Sequence, residues 1–363
     1  MMSVSTPFAY IAVQMALKAA IELNVFDILA ESGPPGTQLS ASQIASKIPT
    51  TNPNQAVPAL HRILRFLSSN SFLTTSLPLD STIDDERDRL FGLTGLTAST
   101  LVRSDGADSL PMIGSVLLLH SQKEMFECLD KLKYTVLDPE RAKCPFEMAH
   151  GVEWYDYLAQ RPCSQLNMLF DRVMSGSYNF FCDSLMRVYR GFDDVIELID
   201  VGGNDGSALE YIISFHPQIK SCINFDLPGV IARAPYREGV KHVAGDMFVA
   251  LPSCKTIMLK WILHNWSDQE CEKLLQNCWT ALPEGGKVIS VEMMIPDNLE
   301  RSSETVMAIT FDFIMLAFFT GGKERTLSEF RKLATAAGFS DVVNVVPIRD
   351  GSRGVPGGSQ DPC

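Results

Sequence analysis

The chain has 363 residues, 46% of them hydrophobic and 20% charged, which suits a globular protein large enough for two domains. Its formal net charge of -12 makes nucleic acid and anionic membrane surfaces poor partners and favours a cationic ligand. The nine cysteines form no C-x-x-C pair and no metal-ligand spacing, so we expect reduced thiols, a cytoplasmic protein and no metal site.

The chain begins with apolar residues at helical spacing in MMSVSTPFAYIAVQMALKAAIEL, which predict an amphipathic helix. This segment lacks the basic start and the cleavage site of a signal peptide. The longest apolar stretch, 306–319, is too short to cross a bilayer and contains Asp312. We therefore expect no transmembrane segment.

Residues 1–110 predict a small, mostly helical domain with one hairpin, formed near FLTTS and LFGLT. LSASQIASKI followed by AVPALHRILRFLSSNSFL has the helix, turn, helix, strand order of a winged helix. DNA binding is disfavoured, because the second helix offers only His61, Arg62 and Arg65 in an acidic protein. Its apolar positions better suit a subunit interface.

Residues 111–348 predict a second domain in which helical patterns give way to alternating strands and helices. The strand-like runs are VIELIDVG, SCINFDL, KHVAGDMF, TIMLKWIL and KVISVEM. This alternation is typical of a doubly wound α/β fold, whose parallel sheet is covered on both faces. Ligands of such sheets bind at the carboxyl ends of the strands.

The first strand runs into the glycine-rich turn around Gly203, where the backbone can approach a ligand closely. The turn lacks the G-x-G-x-x-G spacing of dinucleotide folds and has no basic residue for a phosphate. The second strand ends at Asp226, which suits an acceptor for ribose hydroxyls. The third ends before Asp246 and Met247, which suit an adenine amino group and its ring face.

The motifs DVGGNDG, FDLP, GDMF, LKWILHNWSD, the Glu of VEMMIP, and GGKERT together resemble the plant S-adenosylmethionine-dependent O-methyltransferases of the caffeic acid type. The resemblance implies a Rossmann-like methyltransferase sheet, an N-terminal winged-helix-like dimerisation domain, a homodimer and S-adenosyl-L-methionine as cofactor. The implied cofactor-binding residues are Gly203, Asp226, Leu227, Asp246, Met247 and Lys260.

Methyl transfer to a phenol, whose pKa is about 10, needs a base to make the oxygen nucleophilic. His264 follows the fourth strand and precedes a capping-box helix start, which places it at the carboxyl edge of the sheet. Two acids are candidates to orient its imidazole, Glu292 after the fifth strand and Glu324 in GGKERT. The resemblance implies that both flank the catalytic histidine. Surface salt bridging of Glu324 by Lys323 or Arg325 is the alternative.

The resemblance also implies an acceptor pocket, with residues that are equally compatible with plain core packing. Its predicted substrate-binding residues are Phe170, Met174, Trp261, Asn265, Met315 and His120.

Four positions depart from the caffeic acid type. Asn204 replaces the middle glycine of the turn, which a left-handed backbone tolerates. Asn265 replaces an Asp, so an amide that can also donate stands where those enzymes have a carboxylate. Phe319 and His120 each replace an Asn, which predicts a more apolar pocket with one titratable group. The tail 349–363 has no strand pattern and is expected to be disordered.

Three functions therefore remain open at this stage. The first is an S-adenosylmethionine-dependent O-methyltransferase acting on the phenolic hydroxyl of a small specialised metabolite. The second is a catalytically impaired homologue that acts as a dimer partner. The third and least favoured is a nicotinamide-dependent oxidoreductase, which the glycine spacing argues against.

Overall fold

The computed structural model describes residues 6–77, 89–103, 110–137, 143–300 and 302–339. The chain divides into two compact units, Met1–Lys123 and Glu124–Cys363. The expected strand VVNVVPI and the tail 349–363 lie outside the described residues. None of the described helices is long and apolar enough to cross a membrane.

The first unit contains short helices and a small antiparallel sheet. Its elements are α1 Thr6–Glu22, α2 Val25–Ala30, β1 Gln38–Ser40, α3 Ala41–Ala45, α4 Pro53–Ser69, β2 Leu73–Ser76, β3 Leu90–Leu93, α5 Gly95–Thr100 and α6 Met112–His120. Ser40 and Gln43 form a capping box that starts α3, and Pro53 starts α4. Strands β2 and β3 pair as the expected hairpin, with β1 on the other side of β3. The helix, helix, strand order of a winged helix is confirmed.

The second unit begins with helices and continues as an alternating α/β fold. Its elements are α7 Lys123–Leu129, α8 Tyr134–Leu137, α9 Pro145–His150, α10 Trp154–Ala159, α11 Gln165–Val188, β4 Glu197–Val201, α12 Ser207–Phe215, β5 Ser221–Asp226, α13 Pro228–Ile231, β6 Val240–Ala244, β7 Thr256–Lys260, α14 Asp268–Ala281, β8 Lys287–Val291, α15 Ser303–Phe318 and α16 Leu327–Ala336. The five predicted strands are all present.

Strands β4 to β8 form one parallel sheet in the order β6-β5-β4-β7-β8. Successive side chains along a strand point to opposite faces, so both faces of the sheet carry a core. Ile199 and Ile257 pack in a cluster with residues of α14 and α16. Leu198 and Met258 pack on the opposite face with residues of α11 and α12. The doubly wound sheet is confirmed, and the carboxyl ends of its strands share one edge.

The glycine-rich turn after β4 is built on left-handed backbone. Gly202 has φ 72°, Asn204 has φ 51° and Gly206 has φ 78°. The expected left-handed conformation of Asn204 is therefore confirmed. At position 203 a Cβ atom would lie 2.1 Å from Asn224 Oδ1 and 2.8 Å from Asp200 Oδ2, so a side chain cannot be accommodated without rearrangement.

We predict that Asn204→Val lowers the free energy of unfolding by about 1–2 kcal/mol, because a β-branched residue is strained at positive φ. Asn204→Gly is the control and should retain the stability of the parent chain, because the Asn204 hydrogen bonds come from its main chain. Denaturant unfolding followed by circular dichroism checks this. Equal stabilities of the Val and Gly variants would contradict it.

Candidate active site

Asp226 ends β5 at the carboxyl edge of the sheet, beside the glycine-rich turn. Its Oδ2 accepts a hydrogen bond from the Asn204 main-chain N–H at 2.9 Å, and its Oδ1 accepts from the Leu227 N–H at 2.7 Å. Burial raises the pKa of this carboxyl, and the two N–H donors oppose the shift. Each oxygen keeps a second lone pair, so the fixed carboxylate can accept from two further hydroxyls.

Asp246 and Met247 follow β6 along the same edge. Asp246 is exposed, and its Oδ1 accepts from the Phe248 N–H at 2.8 Å. Met247 packs against the core, and its carbonyl accepts from Asn277 Nδ2 at 2.8 Å. An exposed hydrogen-bond acceptor therefore lies next to a partly buried apolar side chain, as was expected of residues that contact an adenine ring.

Lys260 ends β7, and its Nζ lies 4.0 Å from the centre of the Trp261 ring. Asp200, near the end of the neighbouring strand β4, is 1% exposed. Burial raises the pKa of Asp200 to about 7, although the positive charge of Lys260 opposes the shift. Its Oδ2 has no hydrogen-bond partner among the described residues. A buried, under-neutralised carboxyl at this edge favours a ligand with positive charge.

His264 lies in a single turn of 3-10 helix, Leu263–Asn265, which follows β7. Its Nδ1 is 2.7 Å from Glu324 Oε1, and both side chains are almost fully buried. A carboxylate can only accept, so Nδ1 carries the hydrogen and Nε2 keeps its lone pair. Burial lowers the pKa of His264, but the hydrogen bond to Glu324 and the charges of Glu292 and Glu324 outweigh burial and raise it.

Glu292 follows β8 and supports the turn that carries His264. Its Oε1 accepts from the main-chain N–H groups of Ile262 at 3.2 Å and Leu263 at 2.9 Å. Burial raises the pKa of Glu292, and the His264 charge opposes the shift. His264, Glu292 and Glu324 each have one possible metal-ligand atom, and these three atoms lie within 4.8 Å of one another. Such a set of atoms could also hold a metal ion. The structure thus brings together the three residues predicted for catalysis.

The alternative interpretation of Glu324, as an acid neutralised on the surface, is wrong. Glu324 is 3% exposed. Lys323 pairs with Asp268 and Glu329, and Arg325 pairs with Asp268. Both flanking cations therefore form ion pairs with other acids, and Glu324 faces His264.

Arg325, which is fully buried, holds the loop that carries His264. Its guanidinium donates to the Leu263 carbonyl and to the Trp266 carbonyl, each at 2.8 Å, and to Asp268 Oδ1 at 2.8 and 3.0 Å. These bonds fix the main chain on both sides of His264. Sequence reasoning missed this role, because the motif GGKERT shows the charge of Arg325 and not the carbonyl groups it meets.

The residues predicted for the acceptor pocket lie on several elements. The Trp261 ring centre lies 6.5 Å from that of His264. Phe170 and Met174 lie one turn apart on α11, and Met315 is buried on α15. His120 ends α6 in the first unit. Substrate binding by these residues stays a prediction.

Asn265 donates from Nδ2 to the Tyr155 hydroxyl at 3.0 Å and to the Trp261 carbonyl at 3.1 Å. Tyr155 is a second residue that sequence reasoning missed. The segment WYDY carries no motif, and only the folded chain brings α10 to the turn after β7.

Two family models match this chain. The O-methyltransferase domain matches residues 130–340, and the O-methyltransferase dimerisation domain matches residues 7–104. The nicotinamide-dependent alternative has no support from these matches.

Relatives and solved structures agree with the family models. The chain is 41% identical to (S)-scoulerine 9-O-methyltransferase of Coptis japonica, over 94% of this chain and 84% of the relative. It is 42% identical to caffeic acid 3-O-methyltransferase 1 of Populus tremuloides, over 90% of this chain and 85% of the relative. Its fold is similar to the crystal structure of human N-acetylserotonin methyltransferase in complex with SAM, with a TM-score of 0.75 and 20% sequence identity. The superposition covers 92% of this chain and 90% of the human chain.

We predict that Arg325→Ala lowers the free energy of unfolding by about 3–5 kcal/mol, because buried carbonyl oxygens and Asp268 lose their donors together. Arg331→Ala, at an exposed position of α16, is the control and should change stability by less than about 0.5 kcal/mol. Urea unfolding of the two variants checks this. Equal effects would show that the buried guanidinium does not stabilise the loop.

Proposed function

The chain belongs to the O-methyltransferase family and is an S-adenosylmethionine-dependent enzyme, and from this premise we propose that it methylates a phenolic hydroxyl of a small metabolite with His264 as the general base. The observation that carries this proposal is the buried 2.7 Å hydrogen bond between His264 Nδ1 and Glu324. In the neutral ring this bond holds the hydrogen on Nδ1 and leaves the lone pair of Nε2 available to take a proton.

The edge of the sheet fits the cofactor. The proposed ligands are Asp226 for the ribose hydroxyls, Asp246 and Met247 for the adenine, and Gly203, Leu227 and Lys260 around them. The absence of a side chain at Gly203 lets the turn pack against Asn224 and Asp200, and the buried Asp200, when ionised, adds negative charge at this edge. When bound, the cofactor supplies a methyl group already activated on a sulfonium. The protein's remaining tasks are to align the acceptor and to remove its proton.

In the proposed mechanism, His264 Nε2 accepts the proton of the phenol. The imidazolium that forms is stabilised by the hydrogen-bonded Glu324 and by the nearby Glu292. Glu292 also holds the main chain of the turn, so the base does not have to reorganise when it becomes charged.

A small phenolic substrate is supported by two observations. The relatives are named for O-methylation of scoulerine and of caffeic acid. Trp261 lies beside His264, and Phe170 packs edge-on against Trp154 with ring centres 5.3 Å apart. Such aromatic surfaces suit a flat ring. We also propose a homodimer, supported by the dimerisation-domain match.

We predict that His264→Ala lowers turnover by about 10²–10⁴-fold, because the general base is lost, and leaves cofactor affinity unchanged. Turnover is measured by incubating the enzyme with labelled S-adenosylmethionine and a panel of phenols and analysing the products by mass spectrometry. Calorimetry measures the affinity for the cofactor.

The matched control for this experiment is His216→Ala. His216 follows α12, which starts at the carboxyl edge of the sheet and ends at the opposite edge, so turnover should persist. Normal rates in His264→Ala would refute the base. Cofactor binding by the parent chain without turnover of any phenol would instead support the impaired dimer partner.

The raised pKa of His264 predicts the acidic limb of the activity profile. The base works only when neutral, so kcat/KM should rise with pH through a pKa above the ordinary 6.5 of histidine. Glu324→Gln removes a negative charge that raises this pKa, so the limb should move to lower pH. The control Glu284→Gln, at an exposed loop position, should leave it in place. An unmoved limb in Glu324→Gln would argue against the pairing.

A further inference from the structure

Tyr155, on α10, is held rigidly by other aromatic rings. Its ring stacks on that of Trp266, with centres 6.2 Å apart and planes 20° apart. Phe319 and Phe170 lie at 5.6 and 6.4 Å from it. The position of the Tyr155 hydroxyl is therefore set by packing and not by a flexible side chain.

The contact with Asn265 determines whether the Tyr155 hydroxyl donates or accepts a hydrogen bond. The Trp261 carbonyl, 3.1 Å away, only accepts, so the amide nitrogen of Asn265 and not its oxygen must face that carbonyl. The second hydrogen of the same nitrogen points to the Tyr155 oxygen at 3.0 Å. Tyr155 is thus an acceptor in this bond, and its own O–H hydrogen is directed elsewhere. Within the described parts of the chain, no protein group accepts it.

The groups near the Tyr155 hydroxyl indicate which part of the protein its hydrogen faces. The Trp261 carbonyl follows β7 at the carboxyl edge of the sheet, one residue beyond Lys260. Burial raises the pKa of Tyr155, and the negative charges of Asp226 and Glu292 raise it further. The hydroxyl therefore stays neutral, and its bond to Asn265, which also bonds the Trp261 carbonyl, places it at this edge of the sheet.

The acids at the carboxyl edge of the sheet explain why a neutral hydrogen-bond donor would be needed there to bind oxygen atoms of the cofactor. In their ionised form, Asp226 and Glu292 accept hydrogen bonds from hydroxyl and ammonium groups and donate none. S-adenosylmethionine also carries ribose and carboxylate oxygens, which require donors. A fixed O–H group with an unused hydrogen complements them.

We propose that Tyr155 is a cofactor-positioning residue, whose O–H, aligned by Asn265, donates a hydrogen bond to an oxygen atom of bound S-adenosylmethionine. This inference rests on the proposed function through the cofactor and not through His264. It also gives Asn265 a role through Tyr155. An aspartate at 265, acceptor-only, would draw the Tyr155 hydrogen to itself and remove it from the cofactor.

The test is calorimetry of the full chain with S-adenosylmethionine and with S-adenosylhomocysteine, for Tyr155→Phe, Asn265→Asp and the double variant. Each single variant should raise both Kd values by about three- to tenfold, the usual effect of losing one neutral hydrogen bond. The two ligands should respond equally, because the contact is to an oxygen and not to the sulfonium. The double variant should bind no more weakly than either single variant.

Tyr157→Phe is the matched control, because it lies on the same helix and its ring packs instead against Phe146 and His150. It should leave both Kd values unchanged. Steady-state kinetics should show a raised KM for the cofactor in Tyr155→Phe and an unchanged KM for the phenol. Thermal melting of each variant distinguishes weaker cofactor binding from loss of the fold. If Asn265→Asp does not fold, the comparison of Tyr155→Phe with Tyr157→Phe still tests whether the Tyr155 hydroxyl binds the cofactor.

Unchanged Kd values in Tyr155→Phe would overturn the proposal. A raised KM for the phenol with unchanged cofactor affinity would also overturn it, by assigning the hydroxyl to the acceptor. Additive losses in the double variant would show that Asn265 does not act through Tyr155. The Kd values are measured without turnover, so the outcomes that rest on them do not depend on whether His264 is the base.

Discussion

The site depends on a short, buried hydrogen bond between His264 and Glu324. An imidazole alone would be a weak choice of base here, because burial disfavours its charged form. The glutamate reverses that effect and fixes the tautomer. Arg325 makes the arrangement possible, since it satisfies the carbonyls on both sides of His264 and neutralises Asp268 instead of Glu324.

A second constraint is the concentration of acids at one edge of the sheet. Parallel strands bring Asp200 and Asp226 to neighbouring strand ends, and one oxygen of the buried Asp200 has no hydrogen-bond partner among the described residues. Burial disfavours the ionised form of such a group, and a nearby positive charge stabilises it. In the proposed binding mode, the sulfonium of S-adenosylmethionine would provide that charge. The acidity of the chain as a whole, with a net charge of -12, points the same way.

The fold was largely predictable because it depends on local patterns. Short strand-like apolar runs that alternate with helical stretches predicted all five strands of the parallel sheet, and the left-handed Asn204 followed from the turn chemistry of asparagine. Asp226 and Asp246 were also identifiable, because a residue at a strand end in a parallel sheet must lie at the ligand-binding edge. The domain boundary near residue 110 and the binding roles of these residues stay predictions.

The sequence by itself therefore determined the order of the elements, the edge of the sheet at which the strands end, and the presence of a histidine there. It could not decide whether Glu324 served the histidine or its charged neighbours, nor that Tyr155 would meet Asn265. Those pairings join residues 60 and 110 positions apart. Contacts at such separations depend on how helices and loops pack over the sheet, and only the tertiary structure decides which buried donor faces which acceptor.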